Sequence, residues 1–233
     1  MIIGTFNLQN KYNLIHSKKH NDELNEFIKF VVDNEVDVLG TQEITFKKAK
    51  KISKKLKEYK IIGDGRIKRL GRIFPFSLAN ETNIIITRLE PEKSETIFLP
   101  WKGSQFPRII TKCIIGDIVF LNTHLDYLNQ SIMEAQLDKV YDVVEKEIKS
   151  KNKVILTGDF NMTLENNCFK KFIKKLNELN LNRVEANDNS HIRIKKGPID
   201  HIFVSNNFII EEIKKINLPI SDHYPIVVKI LDK

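Results

Sequence analysis

Short apolar runs of the kind a strand buries alternate along this chain with stretches whose apolar residues recur at helical spacing, which directs the fold to a layered α/β arrangement. Ile2–Phe6, Val36–Thr41, Asn83–Thr87, Val154–Gly158, Ile199–Val204, Phe208–Ile216 and Ile226–Lys229 read as strands. Ile109–Ile115 and Ile118–Leu125 read as a hairpin closed at Gly116-Asp117. Leu24, Phe27, Ile28, Val31 and Val32 mark one helix after Asn21-Asp22, and Phe46–Leu56 a second. Met133, Leu137, Val140, Val144 and Ile148 line one face of a third, and Phe169–Leu179 forms a fourth. Strand–helix–strand units near both ends with hairpins between them suggest two packed sheets with helices outside. The pattern alone does not separate this from other α/β arrangements.

No Pro-, Gly- or Ser-rich linker divides the 233 residues, so one domain over 1–233 is the expectation, large enough to bury a core without disulfides. Cys113 and Cys168 have no neighbours at metal-ligand spacing and read as reduced apolar residues of an intracellular protein. No basic-then-apolar leader opens the chain, and no apolar run reaches the roughly 18 residues that span a bilayer. A cytoplasmic monomer without membrane insertion is expected. The net charge of +8 suits a polyanionic partner, although lysine enrichment of this kind also simply solvates a surface.

The residues that end the runs carry more information. Asn7 follows the first strand, Gln42-Glu43 the second, and His124 follows Val119–Asn122. Asp159 and Asn161 follow Val154–Gly158, and Asp222-His223 precede the last strand. Each has an ordinary reading taken singly: a turn former, a helix-end charge, a buried histidine, an Asx turn. Together they are side chains for which a core has no use, set where strand ends share one sheet edge and converge on a cleft. Carboxylates so gathered repel unless a cation lies between them. Hard oxygen donors without cysteine suit Mg²⁺, with Mn²⁺ as a substitute, rather than Zn²⁺.

Gly4-Thr5-Phe6-Asn7, Thr41-Gln42-Glu43, Asn122-Thr123-His124-Leu125, Gly158-Asp159-Phe160-Asn161, Ile199-Asp200-His201-Ile202 and Ser221-Asp222-His223-Tyr224-Pro225 occur in that order. The set resembles the signature of the endonuclease/exonuclease/phosphatase superfamily, over essentially the whole chain. The resemblance implies a four-layer αββα sandwich of the deoxyribonuclease I type, with the site at one edge of the paired sheets. It implies Glu43 as main metal ligand with Asn7 beside it and Asp222 assisting. Asp159 would orient or deprotonate water, and Asn161 would hold phosphoryl oxygens. His223, held by Asp200, would contact a phosphoryl oxygen or protonate the leaving group. Glu81 stands where relatives carry a glutamate paired with the histidine matching His124. Arg108 stands where they carry a phosphate-facing arginine, and Gly65-Arg66 resembles the Gly-Arg pair of small bacterial members. No lysine follows Gln42-Glu43, and His201 replaces the tyrosine of abasic-site endonucleases, which argues against a repair enzyme.

Three functions remain open. Basic residues at Arg66, Lys68, Arg69 and Arg72, and at Arg193, Lys195 and Lys196 before Asp200, favour a nuclease gripping nucleic-acid phosphates. Phe74, Phe76, Trp101 and Phe106 would instead rim a site for a lipid headgroup or small phosphoester. A catalytically silent binding module on the same fold would show a broken site, yet every principal position is filled.

Overall fold

The computed structural model describes residues 1–9, 17–64, 81–186, 188–194 and 196–233, with the backbone alone for 17–21. Arg66, Lys68, Arg69, Arg72, Phe74, Phe76 and Lys195 lie outside the described residues. One sheet contains β1 (Ile2–Asn7), β2 (Val38–Thr45), β3 (Lys60–Ile62), β4 (Glu81–Thr87), β11 (Phe208–Lys215) and β12 (Ile226–Asp232), in the order β11-β12-β1-β2-β4-β3. The other contains β5 (Lys93–Phe98), β6 (Ile109–Ile115), β7 (Ile118–His124), β8 (Lys153–Asp159), β9 (Leu181–Arg183) and β10 (Asp200–Ser205), in the order β5-β6-β7-β8-β10-β9. Both are mixed: β1–β2 and β7–β8 are parallel pairs among antiparallel ones.

Helices α1 (Ser17–Asp33) and α2 (Phe46–Lys55) cover the outer face of the first sheet, packing Leu24, Phe27, Val31 and Ile52 on Phe6, Leu39, Ile84 and Val227. Helices α3 (Gln130–Lys149) and α4 (Asn167–Glu178) cover the second, packing Leu137, Val140, Phe169 and Phe172 on Leu121, Leu156 and Phe203. Caps start these helices at defined residues. Thr45 Oγ1 accepts the Lys48 N–H, Asn129 Oδ1 that of Ile132, and Asn166 Oδ1 those of Cys168 and Phe169, satisfying donors that a first helical turn leaves open.

The expected strands appear with small shifts at their ends. β2 runs on to Thr45, α1 begins at Ser17 rather than after Asn21-Asp22, and β3, β5 and β9 were not foreseen. All three are edge strands, and β5 has the polar sequence Lys-Ser-Glu-Thr-Ile-Phe with no buried residue. A strand with so little burial has no apolar alternation to read.

Between the sheets the side chains that alternate strand positions turn inward change character along the strands. Ile3, Val38, Phe120, Ile155 and Val228 form an apolar core shared by both sheets. Two residues further along come Thr5, Gly40, Asn122 and Thr157, and two further again Asn7, Gln42, His124 and Asp159. The register keeps each step level: Ile3 pairs with Val38, Thr5 with Gly40 and Asn7 with Gln42, as Phe120 does with Ile155, Asn122 with Thr157 and His124 with Asp159.

The middle level is a buried polar network. Asn122 Nδ2 donates to the carbonyls of Thr41 (2.9 Å) and Ile84 (3.0 Å) in the opposite sheet. Its Oδ1 accepts from Gln42 Nε2 at 2.6 Å, and Gln42 Nε2 also donates to Thr5 Oγ1 at 3.1 Å. Gly40 leaves the room: a Cβ there would lie 2.3 Å from Thr157 Oγ1 and 2.7 Å from Asn122 Oδ1.

Candidate active site

The third level opens into a cleft of about 430 Å³, lined in part by Glu43, Glu81, Arg108, His124, Asp159, Asn161, Asp222 and His223. Backbone irregularity aims two of these. The β2–β4 register shifts between Thr41 and Ile44, and Glu43, inside that bulge, has φ 55°. Gln42 therefore stays buried between the sheets while the next side chain also reaches the cleft, which regular alternation forbids. Asn161, at φ 53°, turns back so that its N–H donates to Asp159 Oδ1 (2.9 Å) and its Nδ2 to the Leu125 carbonyl (3.0 Å). Positive φ at non-glycine residues stores strain of the sort that collects at functional sites.

Asn7 sits at the centre. Its Nδ2 donates to Asp159 Oδ2 at 2.9 Å and to Glu43 Oε1 at 3.2 Å, while its Oδ1 accepts the Gln9 N–H at 2.9 Å. Asn7 thus presents nitrogen, not oxygen, to the two carboxylates. Gln9, at φ 36°, reaches across to donate from Nε2 to Asp222 Oδ2 at 2.5 Å. Gln9 Oε1 and Asp222 Oδ1 are buried acceptors without a hydrogen-bond partner among the described residues. A buried acceptor left unsatisfied is costly, and with the Glu43 carboxylate in the same cleft wall these oxygens are of the hard type a divalent cation takes.

His223 is held on the other side. Its Nδ1 lies 2.8 Å from Asp200 Oδ2, and its Nε2 lies 3.8 Å from Asp159 Oδ2 and 3.9 Å from Asp222 Oδ1. Burial disfavours the imidazolium, but Asp200, by charge and hydrogen bond, and the charges of Asp159 and Asp222 outweigh it and hold His223 up at about 10. Burial, reinforced by the Asp200 charge, pushes Asp159 up to about 7 against the opposing effects of His223, Asn7 and the Asn161 amide. His124 Nε2 is 3.7 Å from Asp159 Oδ2. Arg108 is almost wholly buried, with Nε unpartnered among the described residues. Burial lowers its pKa against the charges of Asp126, Asp159, Glu43 and Glu81.

Ten of the residues singled out in the sequence therefore converge: Asn7, Glu43, Glu81, Arg108, His124, Asp159, Asn161, Asp200, Asp222 and His223. Lys196 does not; it lies exposed in a bend and is not part of the cleft lining. Ile199, from the motif quoted above, lines the cleft as well, and Gln9, Gln105, Phe106, Tyr127, His191 and Ile194 complete the wall. Of these last only Phe106 was singled out. Gln9 had a signal in its spacing, two residues beyond Asn7 on the same strand edge, whereas His191 lies in an irregular segment where spacing carries no information.

Hard oxygen donors, a carboxylate raised towards neutrality and a carboxylate-bound imidazole, all at one edge of a two-sheet sandwich, are groups that metal-assisted phosphoester hydrolysis can use. The sequence model of the Endonuclease/Exonuclease/phosphatase family matches residues 4–223, and the chain belongs to that family, a superfamily of metal-dependent phosphoesterases. None of the curated proteins matches its sequence. Solved structures resemble it throughout, in the deoxyribonuclease I-like fold. The mannosyl-6-phosphatase of Bacteroides thetaiotaomicron superposes with a TM-score of 0.76 at 21% identity, covering 99% of each chain. The human Nocturnin catalytic domain with bound sulfate gives 0.78 at 15% identity, covering 100% of this chain and 94% of that one. D. rerio TDP2 complexed with single strand DNA product gives 0.68 at 14%, covering 99% and 98%. No helix among the described residues is long and apolar enough to cross a membrane.

Proposed function

We propose that this chain is a Mg²⁺- or Mn²⁺-dependent phosphodiesterase that cleaves nucleic acid by in-line attack of water. The observation that carries the reading is the placement of Asp159 and His223 together in one cleft, Oδ2 of the first 3.8 Å from Nε2 of the second, with the carboxylate pushed up to about 7 and the imidazole up to about 10. Near neutral pH Asp159 accepts the proton of an attacking water, and protonated His223 supplies one to the leaving oxygen. Asp200 fixes the His223 tautomer through Nδ1, so that Nε2 carries the proton into the cleft. Asn7 holds Asp159 in line with Glu43. Asn161 and Arg108 face non-bridging oxygens, on which charge accumulates. Glu43 and Asp222, with Gln9 Oε1, would hold the divalent cation, which when bound neutralises phosphoryl charge.

Nucleic acid is favoured by the open cleft, by the net charge of +8 and by exposed Arg193 between the cleft-lining residues His191 and Ile194. A second reading, a small phosphoester such as a sugar phosphate, draws on the Bacteroides phosphatase that this chain resembles end to end and on the Phe106 and Tyr127 side chains in the cleft wall.

The deciding experiment is a panel of plasmid, single-stranded DNA, RNA, sphingomyelin, mannose 6-phosphate and bis-p-nitrophenyl phosphate with Mg²⁺ or Mn²⁺, over a range of salt. The nuclease reading expects the highest kcat/KM on a nucleic acid, with affinity falling at a log–log slope of about −0.7 to −0.9 per phosphate contact. Preference for the sugar phosphate or the lipid would replace the substrate but keep the chemistry. No hydrolysis of any member would remove the enzyme reading.

A further inference from the structure

We propose that His191 is a second imidazole donor to the phosphoryl group of the substrate, working beside His223; this rests on the phosphoester-hydrolase reading above. His191 lies in the cleft wall, joined to His223 by an isolated antiparallel β-bridge. The two rings meet edge to face, with centroids 4.6 Å apart and planes at 90°.

The hydrogen bonds of the ring decide its proton. His191 Nδ1 accepts the backbone N–H of Arg193 at 3.0 Å and of Ile194 at 3.2 Å. An imidazole whose Nδ1 lone pair is so engaged carries its hydrogen on Nε2 and is neutral, because an imidazolium has no lone pair to offer. That assignment excludes a role that proximity suggests. A nitrogen of His191, an oxygen of Asp222 and a nitrogen of His223 lie within 4.8 Å of one another, as in a metal site. An Nε2 that bears hydrogen cannot ligate a cation, so His191 is a donor.

Among the described residues the Nε2 donor makes no hydrogen bond of good geometry. Nε2 stands 3.5 Å from Asp222 Oδ2, at the limit of a hydrogen bond, and that oxygen already accepts from Gln9 Nε2 at 2.5 Å. The N–H is therefore open to an oxygen in the cleft, close enough to the His223 donor for one tetrahedral phosphoryl group to engage both. The two imidazoles differ in what they do. His223 is charged and can release a proton, whereas His191 only donates a hydrogen bond, to an oxygen that gains charge as water attacks.

Two variants separate this role from a structural one. His191→Asn places an amide oxygen near the Nδ1 position, able to accept the Arg193 and Ile194 amides as an Asx turn does, and removes the distal donor. His191→Gln extends a donor towards the Nε2 position and gives up the turn acceptor. For His191→Asn we expect a parent-like melting temperature and a kcat/KM on bis-p-nitrophenyl phosphate lower by roughly 10- to 100-fold, the scale of one hydrogen bond to a charged oxygen. For His191→Gln we expect a lower melting temperature and most of the parent activity. Inorganic phosphate, titrated by NMR with Mg²⁺ present, should bind His191→Asn about tenfold or more weakly than the parent and His191→Gln nearly as the parent. Activity that follows melting temperature across the variants, or phosphate affinity unchanged or undetectable in all of them, overturns the proposal. Failure of the parent to hydrolyse any phosphoester would instead overturn the underlying reading, and the order of phosphate affinities still decides His191.

Discussion

The apolar end of the inter-sheet seam, where Ile3, Val38, Phe120 and Ile155 meet, and its polar stretch, where Thr5, Asn122 and Thr157 meet and Gln42 reaches in from the next level, are one pleat apart on the same strands. Both are buried, and both hold the sheets together, but by different physics. Apolar packing is non-directional and scales with the area removed from water. The Asn122–Gln42 network is directional, each bond specifying where one strand lies across from another. The level proposed to carry the chemistry comes next, where a shift of about 1 Å would cost much of the rate. The strands therefore pass from adhesive to alignment to chemistry, and each level answers to a different measurement.

The largest effects belong to the outermost level. Asp159→Asn and His223→Ala should each lower kcat by about 10²–10⁴-fold, the scale of losing an acid–base partner, with cooperative unfolding retained. EDTA should abolish turnover and Mg²⁺ or Mn²⁺ restore it. A folded variant with parent-like kcat, or full activity after chelation, would detach that component from the chemistry.

At the apolar end the ranking should invert. Phe120→Ala should cost about 3–5 kcal/mol of stability, as large-to-small changes in a packed core do, measured by urea unfolding. Its kcat per folded molecule should stay within about threefold of the parent. A collapse of kcat with little loss of stability would erase the distinction between the two ends.

The polar level should respond in both measurements, more weakly in stability. Asn122→Ala removes one of the two acceptors of the Gln42 amide and the side-chain donor to the Thr41 and Ile84 carbonyls, so about 1–3 kcal/mol is expected, with a measurable fall in kcat as the sheets lose registration. Because Asn122 and Gln42 share a bond, Asn122→Ala with Gln42→Ala should cost less than the sum of the single changes, by about 0.5–3 kcal/mol. Strict additivity would mean that the network is a set of independent contacts.

The smallest effect tests the strain of the site in metal-free protein. The native state holds the Asp159 proton up to about 7, against an ordinary aspartate value of 3.8. Since the folded form binds that proton more tightly than the unfolded one, the contribution is fully present below the unfolded value and is lost as pH rises through about 7. Asp159→Asn removes the buried charge. In EDTA its melting temperature should therefore rise relative to the parent between pH 4 and pH 8, by roughly 2–4 °C for each kcal/mol. A difference that stays flat across that range would show that the carboxyl ionises without penalty.

Most of the site was legible because its residues have no other use where they stand. Asn7, His124 and Asp159 occupy inward positions of strands that are otherwise apolar or small, and period-two alternation carries them to one edge. Glu43 was legible as a residue type but not as a geometry, since only the bulge between Thr41 and Ile44 turns it towards the cleft beside Gln42. Gln42 and Asn122 were quoted within motifs, yet their task of fastening sheet to sheet emerges only when the strands face each other.

The sequence by itself determined the layered fold class and the chemical types available at the strand ends, because burial and alternation act residue by residue. Pairing decided by distant parts of the chain was left to the tertiary structure. Gln9 reaches Asp222 across the sequence, and His191 takes its tautomer from two backbone amides and its neighbour from a bridge to His223. A hydrogen bond needs both partners in place, and the chain states only one of them at a time.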